Sequence, residues 1–179
     1  MPRLPSLNEN AALSDLFARF PGNAAPIIAL VEEIMRGEGA RDIAEREFIA
    51  AYASALNACA FCTGSHVIFA EAFGIAPGLI EQSLEDLDAA EISPPLREVL
   101  RYLQALNALP HRLTQADMDR VLTAGVSEAA LVEALEISGL FNMMNRIIEG
   151  AGVAFDPRSD PQSHSVNAMR GAPRNHHYV

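Results

Sequence analysis

The chain has no lysine; all thirteen of its basic residues are arginine. That excludes Schiff-base chemistry through a side chain and a phosphate-cradling P-loop lysine. Positive charge is scarce as well. Acidic residues outnumber basic ones by 23 to 13, and the formal charge of −10 repels phosphate backbones and anionic lipid surfaces, so nucleic acid is not an expected partner. No apolar run is long enough to cross a bilayer, and Met1-Pro2-Arg3-Leu4-Pro5 lacks the apolar stretch of a signal peptide. A cytoplasmic location away from membranes is the expectation. Cysteine is limited to two residues, too few for a secreted disulfide framework. They stand three positions apart, as Cys59 and Cys62, and in a reducing compartment such a pair is more often catalytic or metal-binding.

What remains is ordinary globular material. Half of the 179 residues are apolar and a fifth are charged, enough to bury one core and too little chain for two full-sized domains. The apolar residues recur at helical spacing, and no stretch holds the two-residue alternation of a half-buried strand. The expected fold is all-α, a single-domain bundle of about seven or eight helices. Pattern and punctuation predict a short helix after Ser14, then Pro26 to Arg36 and Asp42 to Asn57. A fourth helix should start within Cys59 to Thr63 and stop at Gly74. The rest are expected over Pro77–Leu87, from Pro94 or Pro95 to Leu109, from Thr114 to Gly125, and from Ser127 to Glu149. Three regions follow: an N-terminal segment 1–20, a helical body 21–155 and a polar tail or arm 156–179. The tail is rich in Pro, Ser, Asn and Arg, and is read either as a loosely docked terminus or as an arm on a neighbouring subunit.

Cys62 and His66 are four apart, so on one helix they share a face. An imidazole neighbour and a helix N-terminus both favour the thiolate, the reactive form of cysteine. Cys59, three residues earlier, is placed to close a disulfide with Cys62. Glu47 falls on a stripe of the preceding helix with Ile43, Ala50 and Ser54. If the two helices pack antiparallel, its carboxylate reaches His66 or the cysteines and relays protons. Periodicity alone leaves open a solvated face for Glu47, which sits beside Glu45 and Arg46. A Cys-x-x-Cys pair also suits zinc, but zinc wants four ligands, and His66 with one carboxylate is a poor complement; no metal and no cofactor are expected. His111, His164, His176 and His177 lie in loop or tail sequence and receive no role.

Glu47-FIAAYASALNA-Cys59-AF-Cys62-TGS-His66 resembles the alkylhydroperoxidase D and carboxymuconolactone decarboxylase superfamily, whose motif of Glu, eleven residues, Cys, two residues, Cys, three residues, His it carries in full. Leu140-Phe141-Asn142-Met143-Met144-Asn145-Arg146 resembles the late helix of the peroxidase-related branch, and the likeness spans about residues 20 to 152. The resemblance implies a thiol-dependent peroxidase with Cys62 peroxidatic, Cys59 resolving, and His66 and Glu47 as proton relay. It also implies a hydroperoxide substrate, a dithiol or lipoyl-bearing reductant, and a homo-oligomer. The best-known members have a further histidine just before the second cysteine, where this chain has Phe61, which implies a shorter relay. The decarboxylases generally lack the cysteine pair. Lactone decarboxylation through His66 and Glu47, and a non-catalytic redox-sensing oligomer, are the competing expectations.

Overall fold

The computed structural model describes residues 2–155 and Tyr178. The described residues form eight α-helices and one short 3-10 turn, with no strand among them. The helices are α1 (Leu13–Arg19), α2 (Ala24–Arg36), α3 (Ile43–Leu56), α4 (Ala60–Ala72), α5 (Leu79–Glu85), α6 (Pro94–Asn107), α7 (Gln115–Thr123) and α8 (Glu128–Ala151). None is long and apolar enough to cross a membrane.

Local chemistry sets the boundaries. Asp42, Ser93 and Ser127 each accept a backbone N–H from three residues on, at 2.8, 3.3 and 3.1 Å, and so open α3, α6 and α8. At α7 the cap works from the other side: Asp117 takes both the backbone N–H and the hydroxyl of Thr114. Gly152 closes α8 in the left-handed conformation that glycine adopts without strain. Several boundaries differ from the sequence expectation: α2 starts at Ala24 ahead of Pro26, α5 is shorter at both ends than Pro77–Leu87, α6 stops at Asn107 short of Leu109, and α8 runs through Gly150 to Ala151. The first helix begins at Leu13, ahead of Ser14, because Asp15 accepts the Ala12 N–H at 2.8 Å and supplies the cap that Ser14 was expected to give.

α3 is the centre of the bundle. Every residue from Arg46 to Ser54 is buried, and α2, α4, α5, α6 and α8 all pack on it. A helix enclosed on all sides needs small residues where its neighbours come closest, which is why alanine recurs along it. The single stripe expected for Glu47 is therefore only part of a helix buried all round. α6 is the opposite case, a surface helix whose Leu96, Val99, Leu100 and Leu103 supply one apolar stripe. The N-terminal segment is tied to the body: the Arg3 N–H donates to the Ala151 carbonyl at 2.8 Å, and Leu4, Leu7 and Leu16 join the core. The tail expectation falls mostly on residues 156–177, outside the described residues; Tyr178 lies against its own chain's α2, α3 and α4.

Candidate active site

The turn between α3 and α4 brings the motif together. Asn57, Ala58 and Cys59 reverse the chain, with Ala58 held at a φ of 54°, a left-handed conformation that an L side chain adopts at a cost of about 1–2 kcal/mol. A polar clamp supports that conformation. The Asn57 amide donates to Asn142 (3.1 Å) and Asn145 (2.8 Å) on α8 and accepts from Asn107 on α6 (3.0 Å). Asn145, itself buried, donates to Ser54 at 3.1 Å. Three helices, α3, α6 and α8, are thus referenced to the residue two before Cys59.

α4 then runs back along α3, and His66 Nδ1 meets Glu47 Oε2 at 2.5 Å. The antiparallel packing that the proton relay required is present. Glu47 is fully buried, which overturns the solvated-face alternative. Its other oxygen, Oε1, receives Arg36 Nη2 at 2.6 Å and the Tyr178 hydroxyl at 2.9 Å. These side chains, rather than either sulfur, take up its hydrogen-bonding capacity. Burial by itself would raise the Glu47 pKa; His66 and the Arg36 guanidinium outweigh it and hold the carboxyl below its ordinary value. The carboxylate therefore accepts the Nδ1 proton, and Nε2 is the nitrogen left to work as a base.

Cys59 caps α4 and Cys62 lies in its first turn. Both thiols are free and buried, with Cys59 0% and Cys62 2% exposed, beside Glu47 at 0% and His66 at 5%. The sulfurs are hydrogen-bonded to each other, and that bond moves their pKa values in opposite directions. The Cys62 thiol, aided by the Cys62 backbone N–H, lowers the Cys59 pKa against the effect of burial. The Cys62 pKa is pushed well up, first by its bond to Cys59, then by burial and the Cys59 charge; Asn145 hydrogen-bonds Cys62 and acts the other way. Glu149, on the last turn of α8, disfavours ionisation of both. In the reduced pair, then, Cys59 is the better thiolate and Cys62 the proton donor, although His66 is one turn beyond Cys62 on the same helix.

Aromatic rings enclose the imidazole. Phe141 meets it edge-on at 4.3 Å, and Phe69 and Tyr178 lie at 5.9 and 6.5 Å. Phe61, where the family resemblance implied a histidine, instead packs edge-to-face on Phe155 at 6.4 Å. Among the described residues no group of three or more His, Cys, Asp and Glu side chains is arranged to hold a metal ion.

Sequence reasoning missed Arg36, Asn145, Glu149 and Tyr178. Arg36 reads as a favourable charge in the last turn of α2, a signal carried by many surface helices. Asn145 was visible as part of the late-helix resemblance, without a role. Glu149 and Tyr178 carry no motif.

No family model and no curated protein matches the chain. Solved structures do. The alkylhydroperoxidase core of an uncharacterized peroxidase-related protein from Ralstonia eutropha JMP134 superposes with a TM-score of 0.72 at 22% identity, over 79% of this chain and 74% of that one. An uncharacterized peroxidase-related protein from Silicibacter sp. TM1040 gives 0.71 at 21% identity, over 78% and 73%. A variant of the debrominase Bmp8, in complex with 2,3,4-tribromopyrrole, gives 0.68 at 18% identity, over 80% and 76%. The chain has the alkylhydroperoxidase D fold.

Proposed function

We propose that the protein is a thiol-dependent peroxidase, in which Cys62 attacks a hydroperoxide, Cys59 resolves the product, and His66 and Glu47 move the protons. The observation that supports this most is the buried Glu47–His66 hydrogen bond, one helical turn from a cysteine pair in hydrogen-bonding contact. Glu47 fixes the imidazole tautomer, so Nε2 takes the Cys62 proton as the sulfur attacks. Cys62 bonds to the distal oxygen of the hydroperoxide, the O–O bond breaks, and the leaving alkoxide takes the proton from His66 as an alcohol. Cys62 is left as sulfenic acid. The Cys59 thiolate attacks that sulfur, hydroxide leaves and is protonated to water, and a Cys59–Cys62 disulfide remains. An external dithiol, of which a lipoyl group is one form, restores both thiols by exchange. The lowered pKa of Cys59 suits this second step, which needs a thiolate beside the sulfenic acid.

Two measurements test the scheme. Hydroperoxide consumption by the purified protein with dihydrolipoamide should disappear in Cys62→Ser; undiminished consumption in that variant would falsify the assignment. In Cys59→Ser a sulfenic acid should accumulate on Cys62 and be trapped there by a 1,3-diketone. Trapping on Cys59 of Cys62→Ser, with turnover, would exchange the two roles. A homo-oligomer and a cytoplasmic setting belong to the same proposal, the first being read by sedimentation equilibrium.

The likeness to a debrominase bound to a brominated pyrrole favours a second reading. A dithiol that closes to a disulfide yields two electrons, and replacing a ring bromine by hydrogen with release of bromide consumes two. Bromide release from a bromopyrrole, without hydroperoxide consumption, would select this reading.

A further inference from the structure

Tyr178 is the second residue from the end of the chain, yet it occupies the centre of the site. Its hydroxyl donates to Glu47 Oε1 at 2.9 Å, and its backbone N–H donates to Glu32 on α2 at 2.7 Å. Its ring lies under the Arg36 guanidinium at 4.7 Å and edge-on to Phe69 at 6.1 Å. Burial and the Glu47 charge both push the phenol pKa well above its usual value, so the hydroxyl keeps its proton and remains a donor. The chain leaving α8 also lies on α4: the Phe155 ring covers Gly64, so that a Cβ there would stand 2.5 Å from it. Both described ends of the C-terminal region are therefore seated on the helix that carries Cys62 and His66.

Glu47 has two oxygens and two kinds of task. Oε2 must stay on His66 Nδ1 for the imidazole to keep its tautomer, but Arg36 pulls on the same carboxylate and would accept a bidentate arrangement, the geometry guanidinium favours. A second donor on Oε1 limits Arg36 to a single oxygen and leaves Oε2 to the imidazole. We propose that Tyr178 is a positioning residue of the active site: its hydroxyl divides Glu47 between Arg36 and His66, and its ring keeps water from the Glu47–His66 hydrogen bond.

The role of Tyr178 in turnover rests on the peroxidase reading, so the first test does not use turnover. In the reduced, full-length protein the Nδ1 proton of His66 should give a low-field proton NMR resonance in slow exchange with water, identified by its loss in His66→Gln. In Tyr178→Ala, where ring and hydroxyl are both gone, exchange of that proton should quicken by about tenfold or more, the factor equivalent to roughly 1.4 kcal/mol of lost protection. Tyr178→Phe keeps the ring, so exchange should stay slow while the resonance moves as Oε1 loses a donor. An unchanged resonance and exchange rate in Tyr178→Ala overturns the proposal. A shift in Ala with none in Phe overturns the part assigned to the hydroxyl. Both variants are then assayed with hydroperoxide, where Tyr178→Phe should lower kcat with KM unchanged; a change confined to KM would make Tyr178 a substrate contact instead. Absence of peroxidase activity in the unmodified protein would sink the peroxidase reading and leave the NMR result in force.

Discussion

Two buried carboxylates on neighbouring helices are held in opposite ways. Glu133, on α8, accepts the backbone N–H groups of Ala40 and Arg41 at 2.8 and 3.2 Å and pairs with Arg46 at 2.5 Å. Arg46 in turn donates to the Ile34 and Gly37 carbonyls. Most of that cluster is peptide, which does not titrate, and the whole of it ties the α2–α3 connection to α8. Glu47 is next to Arg46 in sequence, but its partners are a histidine, an arginine and a tyrosine, all of them side chains. Satisfaction by backbone makes a staple; satisfaction by side chains leaves the carboxylate that the proposed proton relay uses. Burial does not separate the two, and neither does charge pairing.

Glu133→Ala should have the largest effect on folding. It strands Arg46 in the interior, a loss of about 3–5 kcal/mol measured by chemical denaturation, while the turnover of whatever remains folded should be unchanged. A large fall in the kcat of the folded fraction would break the distinction. Glu47→Gln should do the reverse: turnover falls by roughly 10²–10⁴-fold, the usual worth of a positioned acid–base group, with a smaller loss of stability than Glu133→Ala. The same variant sharpens the contrast through pH. The Glu47 pKa is depressed in the folded chain, so its stabilisation is complete above the ordinary carboxyl value of 4.5 and is lost as pH falls through the depressed one. Melting curves of Glu47→Gln should therefore lose less stability below that value than those of the unmodified chain. A parallel acid limb would mean that Glu47 is not ionised in the fold.

Two glycines test the same pair at lower cost. A Cβ at Gly39 would meet the Arg46 guanidinium and approach Glu133 Oε1 to 2.8 Å, so Gly39→Ala should destabilise by about 1–3 kcal/mol and leave the cysteines unaffected. Gly64→Ala would instead displace Phe155. Its expected effect on stability is the smallest, under about 1 kcal/mol because Phe155 is only partly buried, but alkylation of Cys62 by iodoacetamide should quicken. Equal alkylation rates in the two variants would show that Phe155 does not shield the sulfur.

Much of this was legible in the residue order. Helix starts at Asp42, Ser93 and Ser127, and the stop near Gly74, are local facts of capping, and they survive folding because nothing tertiary competes with them; the stop expected at Gly150 does not hold, and α8 runs on to its cap at Gly152. Cys62 and His66 share a face because helix periodicity requires it. The side of α3 that Glu47 occupies was only half legible: charge beside charge at positions 45 to 47 suits a wet surface, and only the packing of five helices on α3 shows that Arg46 and Glu47 are interior. Arg36 and Tyr178 were not legible, since each meets Glu47 across a long separation in sequence with no periodicity or motif to announce it. The Asn57 clamp sits between these cases: Asn57, Asn142 and Asn145 stood in two noticed stretches, Asn107 in neither, and the purpose is visible only once α3, α6 and α8 are assembled.

The opposite pKa shifts of the two thiols have an electrochemical consequence. A dithiol with both protons releases two on closing to a disulfide; a pair in which Cys59 is already ionised and only Cys62 is protonated releases one. For a two-electron couple each tenfold change in equilibrium constant is about 30 mV, so over the pH range in which the pair holds one proton its reduction potential should fall by about 30 mV per pH unit, against about 59 mV for an ordinary dithiol. Against a dithiol reductant that keeps both of its protons, the pair becomes easier to reduce as the medium grows more alkaline, and falling pH tilts the exchange toward the disulfide.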